Sequence, residues 1–385
     1  MPWVVSGGRL RHCTLLMVFE LMNVGIGIVG LSGSGRTTIF NALTRGKAAI
    51  GGFGGGAANI GIAKVPDERL RVLTDMFHPK KTVSAEIKYL DLGASVKALA
   101  SEKGGGALLT QLAAVDAILS VVRAFHDPVV PITGGVDVAR DIGEMDLELA
   151  FSDMAIIERR FDRIGSSLKG AKADERPKLE RERELLFRIR DELEKDIPIR
   201  EQHLSDEEQR IIAGYQFLSA KPVITLVNVG EEDLSRIHDI EAELNACFAK
   251  PSHRVIVMCG KLEMDLASLD ESLVGDFLSE YGLTQTGLAR AIQTSYELLG
   301  LISFLTVGED EVRAWPVARG TIAQKAAGKV HSDIERGFIR AEVINYQDLV
   351  SSGSLAEARK RGILRLEGKT YVIQDGDIVN YLFNV

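Results

Sequence analysis

Cysteine is scarce in this 385-residue chain. Cys13, Cys247 and Cys259 lie far apart, and none forms a C-x-x-C or Cys/His pair. That spacing excludes a disulfide scaffold and a structural zinc site and fits a reducing, cytoplasmic compartment. Long apolar runs are missing as well. The run Leu15–Phe19 is too short to span a bilayer, and no small-residue cleavage site follows it. Neither a membrane partner nor a signal peptide is expected, and residues 1–21 read as a disordered extension ahead of Met22. There is no basic excess: 46 Lys and Arg against 54 Asp and Glu give a net charge of −8. An overall nucleic-acid footprint, and direct sequence-specific DNA binding with it, is therefore not expected. One absence is local. No Asp or Glu occurs between Glu20 and Asp67, whereas Arg36, Arg45, Lys47 and Lys64 do.

Against these gaps stands an excess of glycine. Of 38 glycines, sixteen fall between Gly25 and Gly106, so the excess is local and points to a site. Hydrophobic residues at 45% and charged residues at 26% are ordinary for a folded protein, and the length allows two to three domains. From Asn23 onward, apolar β-branched runs (NVGIGIVG, AEIKYLDLG, DAILSVVRAF, KPVITLVNV, HRVIVMCG) alternate with helix-length stretches. That alternation predicts a parallel sheet covered by helices. Residues 142–210 break the rhythm with 33 charged residues in 69, and Leu147, Phe151, Met154, Ile157, Phe161 and Ile164 recur at steps of three and four. This predicts an inserted pair of antiparallel helices broken near Gly170–Pro177, with Ser205 and Glu208 forming a capping box for the next helix. From Leu301 to Val385 short strands with glycine turns indicate a small β-rich domain whose 11 basic and 11 acidic residues balance.

The phosphate chemistry is concentrated in Gly30-Leu-Ser-Gly33-Ser34-Gly35-Arg36-Thr37-Thr38, which follows a strand and opens a helix. Glycines there let successive backbone N–H groups turn toward phosphate oxygens, and the helix N-terminus adds partial positive charge. Thr37 is placed to ligate Mg2+, and Asp91, at the end of a second strand, to reach the same ion. A P-loop normally has lysine where this chain has Arg36. The rival reading of Gly25-x-Gly27-x-x-Gly30 as a dinucleotide fingerprint needs an acidic residue about 20 positions on, where this region has none. Asn228-Val229-Gly-Glu231 ends another strand at the edge where a base-reading loop sits, and Cys259-Gly260-Lys261 ends the next.

Together these residues resemble the Obg-like ATPases of the YchF family, within the translation-factor class of P-loop GTPases. The resemblance runs from Met22 to Val385 and is most specific in EVRAWPVARGT, AAGKVHSDIERGFIRAEVI and LEGKTYVIQDGDIVNYLFNV; VPDERL (Val65–Leu70) matches a further family segment. It implies a P-loop NTPase G domain of α/β class, interrupted by a helical coiled-coil domain and closed by a β-grasp (TGS) domain. On this sequence the expected bounds are 22–141 and 211–300 for the two parts of the G domain, 142–210 for the insertion and 301–385 for the TGS domain. The resemblance further implies binding and hydrolysis of ATP in preference to GTP, an N-x-x-E base motif that Asn228 and Glu231 match, and a ribosome partner.

Four positions depart from the family pattern: Arg36 for lysine, Gly55 for the switch threonine, Asp91-Leu-Gly93 with its glycine one residue early, and a glycine-rich stretch shortened to Gly104–Gly106. Electrostatic clamps on a transferring phosphoryl group contribute on the order of 10²–10³ in rate each. Slow hydrolysis is therefore expected. A non-catalytic interaction module, with binding through the TGS and helical domains, is the alternative.

Overall fold

A computed structural model describes residues 25–46, 58–93, 105–130, 134–267, 269 and 271–384. The extension 1–21, Gly55 and Gly104 lie outside the described residues. The chain divides into two compact units, one formed by Val24–Ile62 and Lys88–Ala291, the other containing Ala63–Ile87 and Ile292–Val385.

In the first unit the five apolar runs become strands β1 (Gly25–Gly30), β4 (Glu86–Asp91), β5 (Ala117–Ala124), β6 (Val223–Val229) and β7 (His253–Met258), and a strand that the runs did not announce, β2 (Asn59–Lys64), joins them. They form one six-stranded sheet in the order β2-β4-β1-β5-β6-β7. Pairs β1–β4, β1–β5, β5–β6 and β6–β7 are all parallel. Every residue of β1 and β6 is buried, which is why these runs read as continuously apolar rather than alternating. From β1 the chain supplies the edge strand β2, then β4 beside β1, and then crosses to β5 on the other side of β1. The carboxyl end of β1 therefore lies at a topological switch point, where such sheets bind ligands.

The charged stretch forms two long helices, Val138–Leu168 and Arg176–Leu193. The first begins where the Asp137 side chain accepts a bond from the Arg140 amide at 3.0 Å. Phe161 stacks on Phe187 at 4.3 Å, Arg160 makes a forked pair with Glu182, and Arg190 reaches Glu158 at 3.5 Å, so aromatic and ionic contacts both tie the hairpin. Ser205 and Glu208 form the expected capping box.

Asp153, fully buried on the first of these helices, accepts the amides of Leu218 (2.8 Å) and Ser219 (2.7 Å) just ahead of β6. Burial pushes its carboxyl up to about 6 against those hydrogen bonds. Because the folded value lies above the unfolded one, its contribution to stability is present in full below about pH 4 and is lost as pH rises through about 6. The change amounts to about 3 kcal/mol. Urea titrations of wild type and Asp153→Asn at pH 4 and pH 7 should show the stability gap between them changing by an amount of this order; a pH-independent gap would refute the assignment.

In the second unit, β8 (Leu301–Thr306), β9 (Glu311–Ala318), β10 (Phe338–Asn345), β11 (Arg365–Glu367) and β12 (Asp377–Phe383) join β3 (Lys81–Val83) in a sheet ordered β11-β10-β12-β8-β9-β3. Helix Ala323–Val330 packs on it through Ala323, Ala326 and Ala327, in a core with Phe304, Val317 and Val343. Within this unit Arg69 pairs with Asp67 and Asp375, each at 2.8 Å, and Asp375 accepts the Ser303 amide. The VPDERL segment is thus fastened to the β-rich end by a buried-edge ionic network. No helix among the described residues is long and apolar enough to cross a membrane.

Candidate nucleotide-binding site

Gly30 closes β1, and the chain turns through Gly33 (φ +76°) and Gly35 (φ +92°) before helix α1 (Arg36–Thr44) begins. Both glycines lie in the left-handed region, which L side chains rarely adopt. At Gly30 the constraint is space: a Cβ would come within 2.5 Å of the Val121 carbonyl oxygen. The first turn of α1 carries no acidic residue, so the partial charge of the helix N-terminus is left uncancelled from within.

The Asn228 side chain holds this loop from behind. It is 5% exposed, its Nδ2 donates to the Ser34 carbonyl at 3.1 Å, and its Oδ1 accepts the Gly260 amide at 2.9 Å. One amide therefore joins the phosphate loop to the loop after β7. Gly35 is needed for this approach as well, because a Cβ there would sit 2.4 Å from Nδ2. The Ser34 side chain is buried, and Thr38 is half-buried in the first turn of α1.

The two metal-ligating candidates are brought together. Asp91 is fully buried at the end of β4 and accepts from the Thr37 hydroxyl at 3.2 Å, from Asn59 at 3.4 Å and from the Gly93 amide at 3.0 Å. A hydroxyl and a carboxylate within one hydrogen bond of each other are an oxygen-only donor pair of the kind Mg2+ takes beside phosphates and water. Arg36 lies on the same side: its Nη2 donates to the Gly93 carbonyl at 3.3 Å. Burial lowers its pKa from the ordinary arginine value, opposed by Asp91 and Glu148. Two carboxylates of the protein thus act on the guanidinium without outweighing the effect of its burial.

The predicted base-reading residues separate into two groups. Glu231 and Lys261 are exposed and form an ion pair at 2.9 Å. Val229 and Cys259 are buried in the core with Val227, Leu234 and Leu262, so their side chains pack rather than reach a ligand. Burial raises the Cys259 thiol.

Sequence reasoning passed over two residues. Asn59 leads β2 and reaches Asp91 only because the sheet sets β2 beside β4. Arg123 lies near the carboxyl end of β5 and is 3% exposed, with its guanidinium 3.5 Å from the Gly33 carbonyl. A lone arginine inside the run DAILSVVRAF was the available signal.

Similarity to known proteins runs along nearly the whole chain. The YchF-GTPase_C family, described as a protein of unknown function (DUF933), matches residues 301–384. The chain is 38% identical over 370 residues to the ribosome-binding ATPase YchF of Bacillus subtilis, covering 94% of this chain and 100% of that one. It is 35% identical over 368 residues to the Escherichia coli O157:H7 protein of the same name, with the same coverage. A solved structure, the Schizosaccharomyces pombe YchF GTPase, superposes with a TM-score of 0.79 at 32% identity, covering 94% of this chain and 98% of that one. Full-length identity at this level, carried on a shared fold, shows that the chain belongs to the YchF family.

Proposed function

We propose that this chain binds ATP, and GTP less well, with Mg2+, hydrolyses it slowly, and uses the nucleotide state to bias docking on a ribosome in the cytoplasm. The observation that carries the reading is the junction at Asn228, which fixes the glycine loop and the base-side loop to each other beside the Thr37–Asp91 pair. The ribosome enters through the relatives, which are named ribosome-binding ATPases.

In this reading the N–H groups of Gly33–Thr38 take the phosphates, and Thr37 with Asp91 holds the cation. Bound Mg2+ would draw charge from the phosphate oxygens during in-line attack by water. Glu231 shares its carboxylate with Lys261, which weakens it as an acceptor for a guanine N1/N2 edge. Because both partners are exposed the pair is weak, so guanine is disfavoured rather than refused. A titration with ATP, GTP and ADP followed by phosphate release tests the whole reading, and no binding at millimolar nucleotide would overturn it.

Arg36 bears on the rate. Held by the Gly93 carbonyl and drawn by Asp91 and Glu148, it is occupied where a P-loop lysine would be a point charge on the phosphates. Arg36→Lys is expected to raise kcat by roughly 10-fold or more. Unchanged turnover with unchanged ribosome binding would favour the interaction-module reading.

A further inference from the structure

Arg123 and Arg36 flank the same loop, but their charges are balanced differently. The buried guanidinium of Arg123 donates to four backbone carbonyls: Val130 at 2.7 Å, Phe125 at 3.0 Å, Asp127 at 3.4 Å and Gly33 at 3.5 Å. It also lies 4.4 Å from the centroid of the Phe125 ring. Among the described residues no carboxylate pairs with it. The segment from Glu20 to Asp67, which contains the whole phosphate loop, has no internal acid to offer. Carbonyl dipoles and a ring face satisfy the N–H groups of a guanidinium without neutralising it. A cation buried in this way is costly unless an anion shares its surroundings. The glycine loop lies directly against it: a Cβ on Gly33 would sit 3.4 Å from Nη1 and 3.1 Å from Val130.

We infer that Arg123 is the fixed counter-charge of the bound nucleotide's phosphates, acting through and behind the Gly33 backbone in place of the missing P-loop lysine. It is a positioning residue: it holds the Gly33 carbonyl and the Phe125–Val130 segment, and its uncompensated charge sets the potential of the cradle. Arg36, which donates to the Gly93 carbonyl and has Asp91 and Glu148 in its surroundings, leaves that role open. The inference rests on the nucleotide-binding reading above.

The test is the dependence of binding on phosphate number. Kd for ATP and ADP is measured by calorimetry in Mg2+, and for adenosine by ligand-observed NMR, on wild type, Arg123→Gln and Arg123→Lys, with thermal denaturation of each free protein. Arg123→Gln should raise the ATP Kd about 30-fold and the ADP Kd less, and leave adenosine within about twofold. Arg123→Lys, which keeps the charge, should recover most of the ATP affinity. An equal loss for all three ligands, or no loss, would overturn the inference, and so would an Arg123→Lys variant that binds ATP as weakly as Arg123→Gln, since a loop held only by the arginine's hydrogen bonds is not restored by charge alone. If Arg123→Gln fails to fold, Arg123→Lys decides: an ATP-over-adenosine preference kept within about threefold supports the inference, and its loss overturns it. Failure of the wild type to bind ATP would bring down the nucleotide reading itself, a result distinct from an unaffected Arg123→Gln.

Discussion

Gly35→Ala is expected to weaken ATP binding by at least about 100-fold and to lower the melting temperature of the free protein by about 5–10 °C. Two costs combine. The residue sits at φ +92°, where an L side chain carries strain of about 1–2 kcal/mol. Its new Cβ would also lie 2.4 Å from Asn228 Nδ2, so either the loop or the amide must move. Moving the amide leaves the Ser34 carbonyl and the Gly260 amide unpaired in a buried place, at about 1–3 kcal/mol each. The losses share one cause, so Gly35→Ala and Asn228→Ala should be far from additive. Calorimetric titration with ATP and a thermal scan check both numbers. An ATP affinity within a factor of two of wild type would show that the loop does not need this geometry.

Asp91→Asn should leave the fold nearly intact and abolish the gain in ATP affinity that Mg2+ provides, a loss of about 10- to 100-fold in the presence of the ion. Thr37, Asn59 and Gly93 all donate to the Asp91 carboxylate. An amide offers one acceptor oxygen and turns an N–H group toward a donor, so this cluster loosens, and a neutral oxygen is a poor partner for a hard dication. Removing the carboxylate also leaves Glu148 as the remaining named counter-charge for Arg36. Titrations in Mg2+ and in EDTA separate the effects: the gap between the two proteins should be much wider in Mg2+ than in EDTA. Equal Mg2+ enhancement in both would remove Asp91 from the metal site.

Much of the first unit was legible because its strands are buried on both faces, so β1 and β6 read as unbroken apolar runs without help from tertiary context. The helical hairpin was legible for the opposite reason: Met154, Ile157, Phe161 and Ile164 recur at three- and four-residue steps in a charged background and share one packed face, whereas Leu147 and Phe151 of the same series are exposed. The phosphate loop was legible because its needs are local. Positive φ and close backbone approach demand glycine at fixed offsets, and the helix that follows starts where the glycines stop.

The base-side residues were only partly legible. Asn-x-x-Glu and Cys-Gly-Lys mark strand ends, but no local rule says that Val229 and Cys259 turn into the core while Glu231 and Lys261 pair in solvent. The grouping of Ala63–Ile87 with Ile292–Val385 had no local signal either, since Arg69 and Asp375 stand 306 residues apart in the chain.

The sequence by itself determined where a phosphate could be held, because backbone conformation and helix polarity are set by neighbouring residues. It also determined that the segment carrying the loop supplies no acid of its own. Only the tertiary structure decided which charges remain for a ligand. Arg36, conspicuous in the motif, has Asp91 and Glu148 in its surroundings, from β4 and the first insertion helix. Arg123, inconspicuous in an apolar strand, comes to the phosphate loop without a carboxylate because β5 lies beside β1. Charge balance is a property of everything within a few ångströms, and adjacency along the chain cannot report it.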